Sequence, residues 1–232
     1  MIQTTKSHFI KDGFIAGIPI FLGYFAAAIA FGLLAQEAGI PLVPGVGFSM
    51  LCFTGAAQFL MINLISSGVS PIEIIFTFCL VNFRYFLMSS SLQPRLKNSS
   101  LGVRLALAFG ITDENYSVAS LRKGILSPYF LGALAFVSWS GWVGGSLAGY
   151  LIGSVLPSSL QGAVGGSLYA LFLSLLMPEI KKNILALAIA GFAGLLNTIF
   201  VVCLKISIGW GIVLSMVLTS ALFTYIKLRK GN

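Results

Sequence analysis

Residues 71–92 read PIEIIFTFCLVNFRYFLMSSSL. The run opens on Pro71, where a missing N–H does a helix little harm. Its 22 residues suffice to cross a hydrocarbon core, which takes about 20 apolar residues. Arg84 stands near its middle. A central charge costs about 2.5–3.5 kcal/mol on insertion scales, and Arg84 is too far from either end to snorkel easily. It should face the interior of a helix bundle, opposite a fixed counter-charge or a substrate anion. Positions two apart on a helix differ by about 200°, so Asn82 and Arg84 look in nearly opposite directions. Asn82 shares its side with Tyr85 and Ser89, and Arg84 shares its side with Met88 and Ser91. If the helix borders a substrate path, one of the two faces it and the other ties the helix to a neighbour.

The rest of the chain is of the same kind. Of its 232 residues 57% are hydrophobic and 9% are charged, whereas soluble domains carry about 25% charged residues. Most of the outer surface must therefore face lipid. Further apolar segments run over 14–35, 45–66, 101–121, 129–152, 160–177, 184–204 and 208–226. The expectation is an all-α, polytopic transmembrane helix bundle of six to eight hydrophobic segments. It forms one transmembrane domain over residues 1–232, with a polar cytoplasmic tail over 1–13. The first run is longer than the roughly 7–15 residues of a signal-peptide core and reads as a retained first helix. The expected location is the cell inner (cytoplasmic) membrane.

Net charge is +8, but the basic residues lie between or beyond apolar runs and not among stacking aromatics. That pattern argues for loops against anionic lipid and against nucleic acid. Lys6 and Lys11 place the N-terminus in the cytoplasm, and Lys227, Arg229 and Lys230 place the C-terminus there. Lys181 and Lys182 mark a further cytoplasmic loop, and Arg122 with Lys123 fit the same side. The first half does not alternate cleanly. Three full crossings would put Arg95, Lys97 and Arg104 outside, and both flanks of 101–121 are basic. At least one segment must be broken or re-entrant, which is tolerated where backbone lines a cavity. The candidates are the second segment, with Gly55 at its middle, and 101–121, with Asp113 and Glu114 at its middle.

Several polar groups therefore need a reason to sit at membrane depth. In Phe53-Thr54-Gly55-Ala56-Ala57-Gln58-Phe59, small residues followed by an amide fit a helix break. Its freed N–H groups could hold a carboxylate; close packing with one interhelical hydrogen bond fits equally. Gly55, Gln58, Asn63, Asn82 and Arg84 are the candidate substrate-binding residues. Thr112, Asp113 and Glu114 are candidates for coupling or an ion pair: one carboxylate would partner Arg84 and the other could carry a proton. An acidic loop at the surface is the alternative. Asn197, Trp139 and Trp142 are weaker candidates. Gly141, Gly145, Gly149 and Gly153, each four apart, form a helix-packing face.

Enzyme chemistry finds little support. Gly144-Gly145-Ser146-Leu147 and Gly165-Gly166-Ser167-Leu168 resemble the serine strings of intramembrane proteases, but the one histidine, His8, lies in the polar tail. There is no phosphate-binding loop and no H-E-x-x-H motif. Cys52, Cys79 and Cys203 lie in apolar runs, spaced for neither metal nor disulfides, and read as small buried hydrophobes. No cofactor or metal is expected.

Four strings in order also resemble one family. Gly17-Ile18-Pro19 with Gly23-Tyr24-Phe25-Ala26-Ala27-Ala28-Ile29-Ala30-Phe31-Gly32 is similar to the opening of the AzlC family, the large subunits of bacterial branched-chain amino acid exporters. Phe53–Phe59, Asn82-Phe83-Arg84-Tyr85 and Thr112-Asp113-Glu114 resemble its next landmarks, over roughly residues 10–125. Asn115-Tyr116 departs from the small or hydroxyl residue and aromatic expected after the last. The resemblance implies a gradient-driven exporter of valine, leucine, isoleucine and possibly methionine, working with a small AzlD-type membrane subunit. From the residues alone, an uncoupled channel and a non-transporting scaffold stay open.

Overall fold

The computed structural model describes residues 6–96, 99–155 and 183–230, with positions 173, 176, 177, 180 and 181. The described residues form nine α-helices and no strand. Five are long and apolar enough to cross a membrane. The chain divides into two compact units, Met1–Phe59 with Asn82–Gly165, and Leu60–Val81 with Gly166–Asn232.

In the first unit, α1 (Lys6–Glu37) and α7 (Pro128–Val155) run parallel and in close contact. Glycine makes this possible. A Cβ on Gly141 would stand 2.7 Å from the Phe21 carbonyl oxygen, and one on Gly145 or Gly149 would collide with the backbone of Phe25 or Ile29. Gly153 packs on Gln36 and Leu33. On α1, Gly13, Gly17 and Gly32 answer them against Phe130, Val137 and Ser146. Backbones this close trade side-chain area for continuous dispersion contact, the usual means of helix association in lipid. The α1 helix starts two turns before the apolar run does, at Lys6.

The second apolar segment is two half-helices, α2 (Leu42–Leu51) and α3 (Gly55–Ser66), separated at residues 52–54. The first turn of α3 heads back along α2: the Gln58 amide donates to Ser49 at 3.1 Å, and Phe48 and Phe59 both pack on Phe31. We call this pair hairpin 1. It enters from the carboxy-terminal end of α1, where Tyr150 of α7 donates to the Ile40 carbonyl.

The fourth apolar segment is also two half-helices, α5 (Leu101–Phe109) and α6 (Asp113–Leu121). They form hairpin 2, which enters from the opposite end. A 3-10 turn, Gln93–Leu96, precedes α5, and from it Arg95 donates to the carbonyls of Ala119, Arg122 and Gly124. Arg122 pairs with Asp12 at 3.0 Å and lies over the Phe130 ring. Leu92, Leu96, Leu107, Ile111, Leu126 and Phe130 bury one another in a core at this end. Ser100 caps α5 and Thr112 caps α6.

The helix α4 (Pro71–Leu92) matches the sequence expectation at both ends. Its residues 82–92 belong to the first unit and lead from the hairpin tips to the Leu92 core. Two hairpins entering from opposite ends remove the topological conflict. Arg95, Arg104, Arg122 and Lys123 all stay at the Lys6 end of α1, whereas full crossings would have scattered them.

In the second unit, α8 (Ile184–Thr198) continues through a π turn, Ile199–Cys203, and packs on α9 (Ile208–Lys230), with Phe192 against Phe223. Glu73 accepts from Ser207 at 2.5 Å, and Phe76 stacks on Trp210. The expected segment 160–177 and the string Gly165–Leu168 lie outside the described residues, apart from positions 173, 176 and 177. Cys79 and Cys203 are exposed, and Cys52 is half-buried. This corrects the expectation of three buried thiols: helices facing lipid present small apolar groups outward as readily as inward.

Candidate functional site

The tips of the two hairpins meet at the middle of the long helices. Tyr24 lies near the midpoint of α1, Asn82 to Tyr85 at the midpoint of α4, and Trp139 to Trp142 at the midpoint of α7.

On hairpin 1, the break leaves α3 uncapped. The first intrahelical bond runs from Gln58 N–H to the Thr54 carbonyl at 3.0 Å, so the preceding N–H groups, from Gly55 to Ala57, have no turn before them. The Thr54 hydroxyl does not cap them. It donates to Asn82 at 2.6 Å. A Cβ on Gly55 would stand 2.7 Å from the Trp142 ring, so this position admits only glycine without rearrangement. Gln58 is fully buried; its oxygen accepts from the Trp142 indole at 2.8 Å. Ser49, its other partner, lies 2.7 Å from Ser146. Trp139 donates to the Met50 carbonyl at 3.1 Å. Both tryptophans thus hold hairpin 1.

Hairpin 2 is the charged counterpart. Thr112 accepts from Asn115 N–H at 3.3 Å, closing the end of α6. Asp113 and Glu114 occupy its first turn, where the helix dipole favours anions. Asp113 pairs with Arg84 at 3.0 Å, both side chains about half exposed. Arg84 also donates to the Tyr85 hydroxyl at 3.2 Å. The Tyr24 hydroxyl is bonded to the Glu114 carboxylate and lies 2.7 Å from the Thr112 hydroxyl. Asn115 is buried and donates to Gly110 and to Ser138, each at 2.8 Å. Ser117 and Ser120, on the Asp113 side of α6, are exposed.

The opposed directions of Asn82 and Arg84 find a use here. Asn82 reaches hairpin 1, whereas Arg84 reaches Asp113 and Ser91 reaches Tyr116 on hairpin 2. Two amide atoms at the tips are buried and unpartnered in the chain: Asn82 Nδ2, a donor, and Asn115 Oδ1, an acceptor. Gly55, Gln58, Asn82, Arg84, Thr112, Asp113, Glu114, Trp139 and Trp142 are thus gathered in one unit. Asn63 and Asn197 belong to the other. Asn197 Oδ1 is buried without a partner there. Among the described residues no three His, Cys, Asp or Glu side chains group as metal ligands do.

Sequence reasoning missed Tyr24 and Tyr85 as polar partners. A mid-helix tyrosine reads as one more aromatic, and only a threonine followed three or four positions later by an amide at each break, Thr54–Gln58 and Thr112–Asn115, hints at what its hydroxyl could reach. A cavity of about 360 Å³ lies between α4 and α5, lined by Ser89, Gln93, Arg104, Leu107 and Ile111 among others. Such a volume is within the range of small-molecule sites. It reaches the tip of hairpin 2 at Ile111.

The helices that build this site fall within the stretch that known proteins share. Residues 19–156 match the family described as AzlC protein.

The chain belongs to the AzlC family.

An uncharacterized membrane protein of Archaeoglobus fulgidus is 35% identical over 146 residues, covering 63% of this chain and 64% of the relative. Inner membrane protein YgaZ of Escherichia coli is 31% identical over 141 residues, 59% of this chain and 58% of that one. The branched-chain amino acid transport protein AzlC of Bacillus subtilis is 24% identical over 139 residues, 59% and 54%. The matched stretch spans about three fifths of these relatives' length. No solved structure matches. Like its relatives, this AzlC-family chain is a multi-pass membrane protein, and the family is linked to branched-chain amino acid transport.

Proposed function

We propose that the chain exports branched-chain amino acids, driven by a gradient and working with a small AzlD-type subunit, and that the substrate binds between the two hairpin tips. One observation carries this reading: the tips are opposite in character. Hairpin 1 offers the open N-terminus of α3, beside the unpaired donor of Asn82 on α4. Hairpin 2 offers Asp113, Glu114 and the unpaired Asn115 acceptor. A zwitterion has one end for each. Its carboxylate goes to Arg84 and α3, its ammonium group to Asp113 or Glu114, so that it splits the Arg84–Asp113 pair and replaces each partner. Phe53 and Phe109, whose tilted rings pack together across the tips, supply an apolar wall for the side chain.

In this reading the Lys6 end of α1 and the C-terminus face the cytoplasm, and both hairpins are re-entrant. Coupling to protons would fall to Glu114, whose partner Tyr24 holds it at the tip. The test is uptake of labelled leucine into proteoliposomes under an imposed pH gradient, with and without the small subunit. Accumulation above an ionophore-collapsed control is the expected result. Flux that ignores the gradient would make the chain a facilitator, and binding of the subunit without flux would make it a scaffold.

A further inference from the structure

The cavity of about 360 Å³ between α4 and α5 is walled by polar groups that the chain itself leaves unused. Arg104 lies on its wall. The Arg104 Nε donates to the Ser99 carbonyl at 2.9 Å, which orients the guanidinium. Its two terminal nitrogens have no hydrogen-bond or carboxylate partner among the described residues. Ser89, Ser90 and Gln93 line the cavity too. None of their side chains makes a hydrogen bond among the described residues, although that of Ser91 beside them does. The remaining lining is apolar, and no lining residue is acidic. From Arg104 to Ile111 the wall runs about 10 Å, at a helical rise of about 1.5 Å per residue.

We infer that this cavity is a second binding site, for a small apolar monocarboxylate of the 2-oxo acid class. Polar groups without partners in the chain need a ligand or water to satisfy them, and the charge of the wall selects the ligand. The two terminal nitrogens of Arg104 form a planar fork that matches the two oxygens of a carboxylate. The serine hydroxyls and the Gln93 amide can donate to the oxo group beside it. Phe86, Leu105 and Ile111 offer the aliphatic tail an apolar surface. An amino acid with the same tail fits less well, because its ammonium group would approach Arg104 with no acidic side chain on the wall to balance it. The hairpin tips are the reverse case, with Asp113 and Glu114 beside Arg84. A phospholipid also fits less well. Its chain fills one leaflet, about 15 Å of hydrocarbon, which is longer than this wall, and it would leave the hydroxyls unsatisfied. The inference concerns binding and does not rest on the transport reading. Were both to hold, the two sites would sort by charge two molecules that share a side chain and differ at the amino group.

Protection of a thiol on the cavity wall tests the site. The full chain carries Cys52→Ala, Cys79→Ser and Cys203→Ser, with Ala108→Cys as the reporter, since Ala108 lines the cavity. Maleimide labelling is followed in nanodiscs of zwitterionic lipid while 4-methyl-2-oxopentanoate or leucine is titrated in. The oxo acid should slow labelling saturably, at a concentration at least about tenfold below that at which leucine does. Arg104→Gln should weaken this protection about ten- to a hundredfold, as loss of a charge-assisted fork does, and Arg104→Lys should weaken it less. Arg84→Gln, which removes the cation at the hairpin tips, should leave it unchanged. Variants are compared only as monodisperse protein. Should Arg104→Gln fail to fold, Arg104→Lys and the ranking of the two ligands in the arginine-containing chain decide. Absence of protection by the oxo acid overturns the inference. So does equal or better protection by leucine, which would make the cavity an antechamber for the zwitterion. Loss of protection in Arg84→Gln but not in Arg104→Gln would move the oxo acid to the tips, and protection by added anionic phospholipid alone would make this a lipid site; either result overturns it.

Discussion

Trp142 and Ser138 stand one helical turn apart on α7, and each holds the buried amide of a different hairpin. One rigid face of one helix thus sets the depth of both tips. Ser146, one turn further on, holds hairpin 1 again through Ser49. The adjacent face of α7 is the glycine face packed on α1, so the helix that positions the site is itself fixed by backbone contact.

Replacing Trp142 by Phe keeps a ring against Phe31 and Phe59 but removes the N–H. Gln58 Oε1 is then left buried and unpaired, which costs about 1–3 kcal/mol. For a chain of this size each kcal/mol lowers the melting temperature by about 2–4 °C. Thermal unfolding in detergent should show a lower midpoint than the unsubstituted chain. An unchanged midpoint would mean that water or the substrate path serves Gln58 instead.

Neighbouring glycines on α7 should differ sharply. A methyl on Gly145 meets the Phe25 carbonyl and the Ala28 side chain, whereas one on Gly144 meets only the Phe25 ring at 3.6 Å. Gly145→Ala should therefore lower stability by about 1–3 kcal/mol, as overpacking does. Gly144→Ala should be neutral or gain up to about 1 kcal/mol, because alanine is the better helix former. Comparing the two melting curves settles the matter, and equal losses would refute parallel contact of α1 with α7.

Much of this was legible in the sequence, for physical reasons that differ between elements. Residues 71–92 announced a helix by length and by Pro71, and the structure ends it at Leu92. The basic residues at Arg95 and Arg104 required an incomplete crossing, and breaks fall in both suspected segments, at 52–54 and 110–112. The partners of the tyrosines were not legible. Hydropathy records how deep a residue sits but not which face it shows, and one hydroxyl on an aromatic ring barely changes the score. The glycines of α1 escaped notice because Gly13, Gly17 and Gly32 are irregularly spaced, unlike the strict four-residue spacing on α7.

Arg84 separates two roles that a static ion pair leaves merged. If the pair only holds α4 to hairpin 2, exchanging the charges as Arg84→Asp with Asp113→Arg should restore transport. If Arg84 receives the substrate carboxylate, the exchange places a carboxylate against α3 and should not restore it. We expect Arg84→Ala to insert and fold but to reduce leucine counterflow to background, with the exchanged pair equally inactive. Arg84→Lys should retain part of the rate, since a lysine keeps the charge but loses the planar fork. Normal export by Arg84→Ala would remove this residue from the site.

Glu114 and Asp113 should divide coupling from binding. Glu114 is bonded to a neutral hydroxyl, whereas Asp113 is bonded to a cation. Arg84 keeps Asp113 in an ion pair, which leaves Glu114, held by a neutral hydroxyl, as the carboxylate we assign to coupling. Glu114→Gln mimics the protonated state permanently. Leucine counterflow, which needs no net proton movement, should persist in this variant, while accumulation driven by an imposed pH gradient should vanish. Asp113→Asn should instead lower counterflow itself, because it frees Arg84 and weakens the seat of the ammonium group. Both variants are measured in the same proteoliposomes with the gradient imposed and collapsed. If Glu114→Gln still concentrates leucine against the gradient, the proton is carried elsewhere and the Tyr24–Glu114 contact serves only to hold hairpin 2 against α1.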